Sequence, residues 1–334
     1  MSGRFFLAYV ARRCLQAIPL LLGVIVANFL IVQLAPGDPI QVLVGDYPAP
    51  PEYVAQMAEA LGLDKPVTTQ LWRYLGRVVR GDLGFSFVFQ RPVAALLLDR
   101  LAATLLLMLA AIAAAAVVGT GLGILAARRP YSAVDALTTA GSLCGYSIPV
   151  FWLGQMLIVV LAIRLDWFPA QGMQSLREVR TGLGAWADVA HHLALPALAL
   201  MTRYVALYAR LTRSSLIEVL DEDYVRTARA KGQGETWVLF RHALRNALLP
   251  VVTIFGLNFG QVMAGSVLTE TVFAWPGIGR LMFDSILARD YPVLLGGFIV
   301  VSAVILLANL LTDLAYGLLD PRVVVGAGRA RART

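Results

Sequence analysis

Long apolar runs separated by short polar segments follow one another along the whole chain. A helix of about 20 apolar residues crosses the hydrocarbon core of a bilayer, and six stretches reach that length. The pattern therefore predicts an all-α polytopic membrane protein with six transmembrane helices and both termini on one side. The predicted spans cover residues 14–34, 101–127, 136–162, 192–211, 247–269 and 293–319.

The composition supports a membrane protein, because 58% of the 334 residues are hydrophobic and only 15% are charged. Soluble domains usually contain about 45–50% apolar residues. The first apolar run follows Arg4, Arg12 and Arg13, an arrangement that signal peptides also have. Because this run is longer than the roughly 7–15 apolar residues of a signal peptide, we favour an uncleaved transmembrane helix.

Lys and Arg residues are unevenly divided between the two sides of the predicted membrane. The side that holds residues 1–13, the loop 213–246 and the basic tail 320–334 carries more of them. Since positively charged loops stay in the cytoplasm, these segments are predicted to be cytoplasmic and 35–100 extracytoplasmic. This topology and a basic tail near membrane lipid explain the net charge of +7. The basic residues form no stripe with interleaved aromatics, so no nucleic-acid partner is predicted.

The outer segment 35–100 contains a short amphipathic pattern. Its apolar residues recur at helical spacing at Leu71, Tyr74, Leu75, Val78 and Val79. Such a stripe packs on the protein's own helices more often than on a partner, and we favour that interpretation.

Four amide or carboxylate side chains lie inside the last two predicted spans. Asn258 and Gln261 are three residues apart near the middle of the fifth span. They are candidates either for lining a transport pathway or for an interhelical hydrogen bond. Asn309 and Asp313 share a helix face near the inner end of the sixth span, where a capping or pairing role is favoured over a proton relay.

Small residues and a proline interrupt the second and third spans. Gly119, Gly121 and Gly123 allow close approach of a neighbouring membrane helix. Pro149 frees a backbone carbonyl and is expected to bend its span.

The chain carries few residues suited to metal or covalent chemistry. Cys14 and Cys144 lie in apolar runs, which predicts buried free thiols and no disulfide. His191 and His192 are adjacent, so they point apart on a helix and do not chelate a metal together. The sequence has no GxxxxGK[ST], HExxH, GxSxG or CxxC motif. We therefore predict no enzyme, no metal, no catalytic residue and no cofactor in this chain, and any ATP-driven work needs another subunit.

The most charged stretch is the predicted cytoplasmic segment 221–250. It is expected to form a short helix capped by Asp221 and stopped by Gly232 in a left-handed conformation, followed by a second helix. A helix of about ten residues is roughly 15 Å long, too short to span a membrane, so it lies on a surface or touches a partner. The second helix is expected to place Trp237, Phe240, Leu244 and Leu248 on one face.

The same stretch resembles the inner-membrane permease subunits of binding-protein-dependent ABC importers. DYVRTARAKG followed by RHALRNALLP is similar to the first permease of the peptide and nickel branch, and Ala228, Gly232 and Leu244 keep the wider cytoplasmic signature. Further similar stretches are APGDP, LGLDKP, GDLGFS, SIPVFWLG, VFAWPGIGRL and RDYP, in the order of that branch.

The resemblance implies a type I ABC importer permease fold in the bacterial inner membrane, with residues 101–319 as a five-helix core. It implies a second, homologous permease as heterodimer partner, two ATP-binding subunits that hold ATP and Mg, and an extracytoplasmic solute-binding protein. The helix 221–232 would dock on an ATPase subunit as a coupling helix hinged at Gly232, with Tyr224, Val225 and Ala228 filling the docking cleft. The implied coupling residues are Asp221, Glu222, Asp223, Tyr224, Val225, Arg226, Ala228, Arg229, Lys231 and Gly232.

Short peptides are the substrates that the resemblance favours. Nickel chelates and glutathione are alternatives within the same family. An ion-coupled secondary transporter is a further alternative, disfavoured because the chain shows no clear inverted repeat. An intramembrane enzyme is disfavoured more strongly, since no nucleophile and base can be paired.

Overall fold

The computed structural model describes residues 3–34, 50, 52, 64–175 and 180–319. Helices make up most of these residues, which confirms the all-α prediction, and one short β-hairpin joins Phe85–Ser86 (β1) to Arg91–Pro92 (β2). The α-helices, in chain order, are α1 Gly3–Leu34, α2 Val67–Val79, α3 Val93–Arg128, α4 Ala133–Ser147, α5 Val150–Leu157, α6 Leu183–Leu220, α7 Asp223–Ala230, α8 Glu235–Trp237, α9 Leu244–Ala247, α10 Leu249–Val272, α11 Ile278–Leu287 and α12 Tyr291–Leu319. Two π-helical segments, Ile158–Arg164 and Val238–Ala243, follow α5 and α8.

The chain divides into two compact units. The first comprises Met1–Ala103 and Gly277–Leu310, and the second comprises Thr104–Pro276 and Leu311–Thr334. In the first unit an apolar core forms where the start of α3 meets α11 and the start of α12. Its fully buried members include Val93, Leu97, Ile278 and Val293. The predicted basic tail, 320–334, and residues 35–49 of the outer segment lie outside the described residues.

The amphipathic helix expected in the outer segment is α2, and it packs on the chain's own first helix. The Tyr74 ring stacks on Phe29 with centroids 5.6 Å apart, and both residues are buried with Ile25 and Ile299. The favoured packing interpretation is therefore correct for this face. Val79 is the exception, because its side chain is 87% exposed.

Helix α6 is the centre of the second unit, where it contacts α4, α5 and α10. Two of the glycines of α3 lie directly against its backbone. A β-carbon at Gly123 would be 2.6 Å from the Ala209 carbonyl oxygen, and one at Gly119 would be 2.7 Å from the Val205 carbonyl oxygen. Gly121 faces open space, so the predicted close approach holds for two of the three glycines.

The third predicted span is sharply broken. Helices α4 and α5 meet at an angle of 96°. The break falls at Ile148 and Pro149. The helical region is disfavoured for the residue before a proline, and Ile148 is extended, with φ −76° and ψ 127°. The expected bend at Pro149 is therefore a change of direction and not a mild kink.

Three helices among the described residues are long and apolar enough to cross a membrane: Ala11–Leu34, Val93–Arg128 and Tyr291–Thr312. Two bent pairs, Ala133–Ser147 with Val150–Arg164 and Glu235–Ala247 with Leu249–Gly260, raise the candidates to five. The fourth predicted span, 192–211, lies within α6, whose apolar run is interrupted by polar residues including Thr202 and Arg203.

The predicted burial of both cysteines is wrong, because Cys14 and Cys144 are free and exposed on the surface of the chain. An apolar run does not imply a protein interior in a membrane protein, since lipid-facing positions are apolar as well. The adjacent histidines do point apart: His192 is buried, whereas His191 is exposed and bonds the Trp167 carbonyl through Nε2 at 2.8 Å.

Candidate functional site

Helix α7 is shorter than the sequence suggests. It runs from Asp223 to Ala230, Lys231 follows as its C-cap, and Gly232 then adopts φ +78°, the left-handed stop that was expected. Asp221 does not cap it. Because α6 continues to Leu220, the Asp221 amide bonds Glu218 at the end of α6 instead, and the Glu222 side chain makes no capping hydrogen bond either.

The underside of α7 is buried within the chain itself. Val225 and Ala228 pack with Val238, and Val219 and Leu220 at the end of α6 complete the cluster. Val225 and Ala228, which were expected to fill a partner's cleft, are therefore covered by their own chain in this structure. These contacts attach α7 to α6 on one side and to the following π-helical segment on the other.

Polar contacts cross the glycine turn that follows α7. Arg229 pairs with Glu235 through two bonds of 2.8 and 3.3 Å and also donates to the Leu220 carbonyl at 3.2 Å. Beyond the turn, His242 Nε2 lies 2.8 Å from Gln233 Oε1. A flexible hinge was expected at this turn, but these bonds link the residues before the turn to those after it. Arg229 is therefore bonded within its own chain.

Tyr224 ties the start of α7 to α9. Its hydroxyl accepts a hydrogen bond of 2.8 Å from Asn246 Nδ2, and its side chain is 40% exposed. Together with the apolar cluster and the Arg229 bonds, this contact holds α7 against its neighbours at both ends. The segment 221–247 is therefore a cross-linked unit.

The outward face of α7 is polar and exposed. Arg226 and Asp223 form a loose pair at 3.4 Å on its surface. The exposed charged residues of the face and its two ends include Asp221, Glu222, Asp223, Arg226 and Lys231. Of the predicted coupling residues, Val225 and Ala228 are buried and the others are exposed, although Arg229 is bonded within its own chain.

The face predicted for the second helix differs from the observed one. Trp237 and Phe240 are 60% and 55% exposed, whereas the buried positions are Val238, Leu239, Ala243 and Ala247. The cause is the π-helical segment Val238–Ala243, whose wider turn changes which residues share a face. The exposed aromatic side chains lie in the same loop as the charged face of α7.

An open cavity of about 1060 Å³ lies between α4 and α6 in the second unit. A bidentate ion pair borders it: Arg213 Nε and one Nη each lie 2.6 Å from an Asp135 carboxylate oxygen. The Tyr131 amide donates to the same carboxylate at 2.9 Å, and the Ser132 hydroxyl caps α4. These bonds fix the start of α4 to the final turns of α6.

Of the two predicted pathway residues, Asn258 and Gln261, the structure describes the side chain of Asn258. Asn258 is buried, lines the cavity from α10 and interacts with the Tyr208 hydroxyl. The side chains of Gln261 and Asp313 lie outside the described residues. Sequence reasoning missed Asp135 and Arg213, although a carboxylate next to an apolar run is a signal for a specific partner.

One helix joins the cavity to α7. Residues of α6 from Arg203 to Arg213 line the cavity, and Val219 and Leu220 of the same helix pack under α7. The cavity wall and the support of α7 therefore belong to one continuous helix.

Several of the stretches that carry the family resemblance meet in space. In the first unit Ser86 of GDLGFS donates a 2.5 Å hydrogen bond to buried Asp290 of RDYP. In the second unit a β-carbon at Gly154 of SIPVFWLG would lie 3.0 Å from the ring of Phe273 in VFAWPGIGRL. These stretches therefore hold each unit together, and no ligand needs to be invoked for them.

Comparison with known proteins decides the family. The model of the Binding-protein-dependent transport system inner membrane component family matches residues 119–325, and that of its N-terminal part matches residues 6–108. The chain belongs to this family. The family consists of transport permeases of the inner membrane and not of enzymes, in agreement with the sequence predictions.

Curated relatives match this permease over nearly its whole length. It is 43% identical to the oligopeptide transport system permease protein AppB of Bacillus subtilis, over 95% of this chain and 99% of the relative. It is also 43% identical to the di/tripeptide transport system permease protein DppB of Pseudomonas aeruginosa, over 95% and 98%. The glutathione transport system permease protein GsiC of Escherichia coli is 42% identical, over 95% and 99%.

A solved structure shares the fold. A chain of the MetNI methionine ABC transporter in inward-facing conformations aligns with a TM-score of 0.51 over 67% of this permease and 96% of that chain. The two chains are only 15% identical, so the likeness concerns the fold alone.

Proposed function

We propose that the chain is the first of two permease subunits in an ATP-driven importer of short peptides. Its six spans, with α6 as the fourth and both termini in the cytoplasm, would open the pathway alternately to the two sides of the membrane. The proposed assembly contains a homologous second permease, two ATPase subunits that bind ATP and Mg, and an extracytoplasmic solute-binding protein.

The relatives support short peptides as the substrate class. Two of them are named for oligopeptides and for di- and tripeptides, at 43% identity and nearly full coverage. Glutathione is the second candidate, supported by a relative that is nearly as similar. Nickel chelates have no comparable support among these relatives.

The observation that carries the proposed mechanism is the single helix α6, which lines the cavity and also holds α7. An ATPase subunit that grips the exposed side of α7 would move α7 and the inner half of α6 as one body. The gripping surface is the charged face with Glu222, Asp223, Arg226 and Lys231, together with Tyr224. The buried Val225 and Ala228 would transmit the force to α6 and not contact the partner.

This mechanism needs an external source of energy, because the chain has no P-loop to hold nucleotide phosphates. In the proposed assembly ATP binding closes the ATPase pair, and α7 follows. A secondary transporter would instead take its energy from an ion gradient through this chain alone.

Reconstitution separates these two functions. The permease, its homologous partner and the ATPases are inserted into liposomes with binding protein outside, and uptake of radiolabelled dialanine is measured with ATP inside. We expect uptake with ATP and none with a non-hydrolysable analogue. Uptake by this chain without ATPase subunits, driven by a proton or sodium gradient alone, would overturn the proposal.

A further inference from the structure

The cavity between α4 and α6 carries an excess of positive charge. Its charged lining residues are Arg203, Arg210, Arg213 and Asp135, so three positive charges minus one negative leave +2. Arg213 is neutralised by its bidentate bond to Asp135. The excess therefore resides on the other two arginines.

Arg203 and Arg210 are placed to act together. They are seven residues apart on α6, a spacing that puts two side chains on the same face of a helix. Neither has a carboxylate partner among the described residues, although both are exposed at the cavity. The guanidinium carbon of Arg203 lies 6.0 Å from the centre of the Tyr146 ring, which restricts its position.

A buried amide also lines the cavity. Asn258 is only 5% exposed and lies beside the Tyr208 hydroxyl, with which it interacts. An amide carries two N–H donors, so one of them can bond Tyr208 while the other donates to an acceptor atom of a ligand in the cavity.

These groups together select for a carboxylate. Guanidinium groups bind carboxylates through two parallel bonds, and an amide N–H adds a third donor. The cavity volume of about 1060 Å³ is at the upper end of the roughly 300–1,000 Å³ of small-molecule sites. A short peptide fits this volume and ends in a carboxylate.

We propose that this cavity is a binding site for transported peptides, in which Arg203 and Arg210 bind the terminal carboxylate and Asn258 donates to the ligand. The inference rests on the proposed function as a peptide permease. The permease itself would then select its substrate through Arg203 and Arg210. Both residues lie on α6, which α7 would move, so ATP-driven motion would change the affinity of the site for the peptide.

Binding of dialanine and of its C-terminal amide to the whole transport complex tests the site. The complex is held in nanodiscs of neutral lipid without binding protein, and binding is measured by equilibrium dialysis. We expect the wild-type complex to bind dialanine at least about tenfold more tightly than the amide, which lacks the negative charge. Arg203→Met and Arg210→Met should each weaken dialanine binding about tenfold and leave amide binding unchanged.

Two further variants control for structural damage. Arg203→Lys keeps the positive charge but lacks the planar guanidinium group, so it should retain part of the preference for dialanine over its amide. Arg73→Met removes an exposed arginine of α2 and should retain all of it. Thermal melting of each complex shows whether the variant is folded.

The inference is overturned if the Arg203→Met and Arg210→Met complexes discriminate between dialanine and its amide as the wild type does. It is also overturned if phosphatidylglycerol in the nanodiscs occupies the site in an arginine-dependent manner while dialanine binding is unaffected, since the cavity then holds a lipid headgroup. In either case ATP-driven dialanine uptake by the wild-type complex shows that the proposed function stands. Absence of that uptake refutes the function itself.

Discussion

Replacing Gly123 with Ala tests the packing of α3 on α6. The new β-carbon would lie 2.6 Å from the Ala209 carbonyl oxygen and 2.6 Å from Thr212 Cβ, whereas ordinary contacts are 3.4–4 Å. The shortfall is at least 0.8 Å, the difference between 3.4 and 2.6 Å. Because Ala209 contributes a backbone atom, the clash is relieved only when α3 and α6 move apart, and overpacking of this kind costs about 1–3 kcal/mol.

The same substitution at Gly121 is the matched control. Gly121 lies in the same helix, but a β-carbon there meets nothing within 4 Å. Both substitutions gain the helix propensity of Ala over Gly, about 1 kcal/mol, so their difference isolates the steric cost.

Thermal melting of the purified complex, followed by tryptophan fluorescence, compares the two variants. We expect Gly123→Ala to melt well below Gly121→Ala, by the equivalent of about 1–3 kcal/mol. Equal melting temperatures would show that α3 does not lie against α6 at Gly123, and would refute the packing described for the second unit.

Three further predictions concern polar contacts and one turn. Arg213→Met leaves the Asp135 carboxylate without its bidentate partner and should lower the melting temperature more than the double variant Arg213→Met with Asp135→Asn. Hydrogen bonds from the Ser175 amide and hydroxyl hold the pKa of Asp188 below its usual range, so this carboxylate stabilises the fold above the unfolded pKa of about 3.9. Its contribution is lost as pH falls through the lower folded pKa, and acid titration of melting should show Ser175→Ala losing stability at a higher pH than the wild type. In the variant Gly232→Ala the added β-carbon would meet no atom within 4 Å, but the alanine would have to adopt φ +78°. Urea denaturation should therefore show a loss of about 1 kcal/mol in the free energy of unfolding, the cost of a left-handed backbone without any steric clash.

The apolar and glycine patterns predicted much of the fold correctly. The amphipathic stripe of α2, the break at Pro149 and the left-handed Gly232 all follow from local rules that need no tertiary information. The helix ends were harder to predict. Asp221 is a favourable residue for the start of a helix, but in the structure it caps the C-terminal end of the preceding helix α6.

The remaining features depend on contacts between distant residues. The cavity is bordered by the pair of Asp135 with Arg213, and no periodic pattern reveals that these two residues meet. The attachment of α7 depends on Arg229 and Glu235 across a turn, where the sequence indicated only charges available to a partner. The π-helical segment Val238–Ala243 also departs from the 3.6-residue period on which the predicted face rested.

Reversing two charges on the exposed face of α7 tests whether this face couples an ATPase to the permease. Glu222→Lys with Lys231→Glu preserves the net charge and alters residues with no ion-pair partner among those that the structure describes. The control reverses the exposed ion pair of Arg91 and Asp99, whose atoms are 2.8 Å apart and far along the chain from α7.

ATP hydrolysis and dialanine uptake are measured together in liposomes containing the whole complex. We expect the α7 variant to lose most uptake per ATP hydrolysed, or to lose the ATPase on purification, while the Arg91 and Asp99 control behaves as the wild type. Unchanged uptake per ATP together with full recovery of the ATPase in the α7 variant would show that the exposed face of α7 does not couple the two subunits.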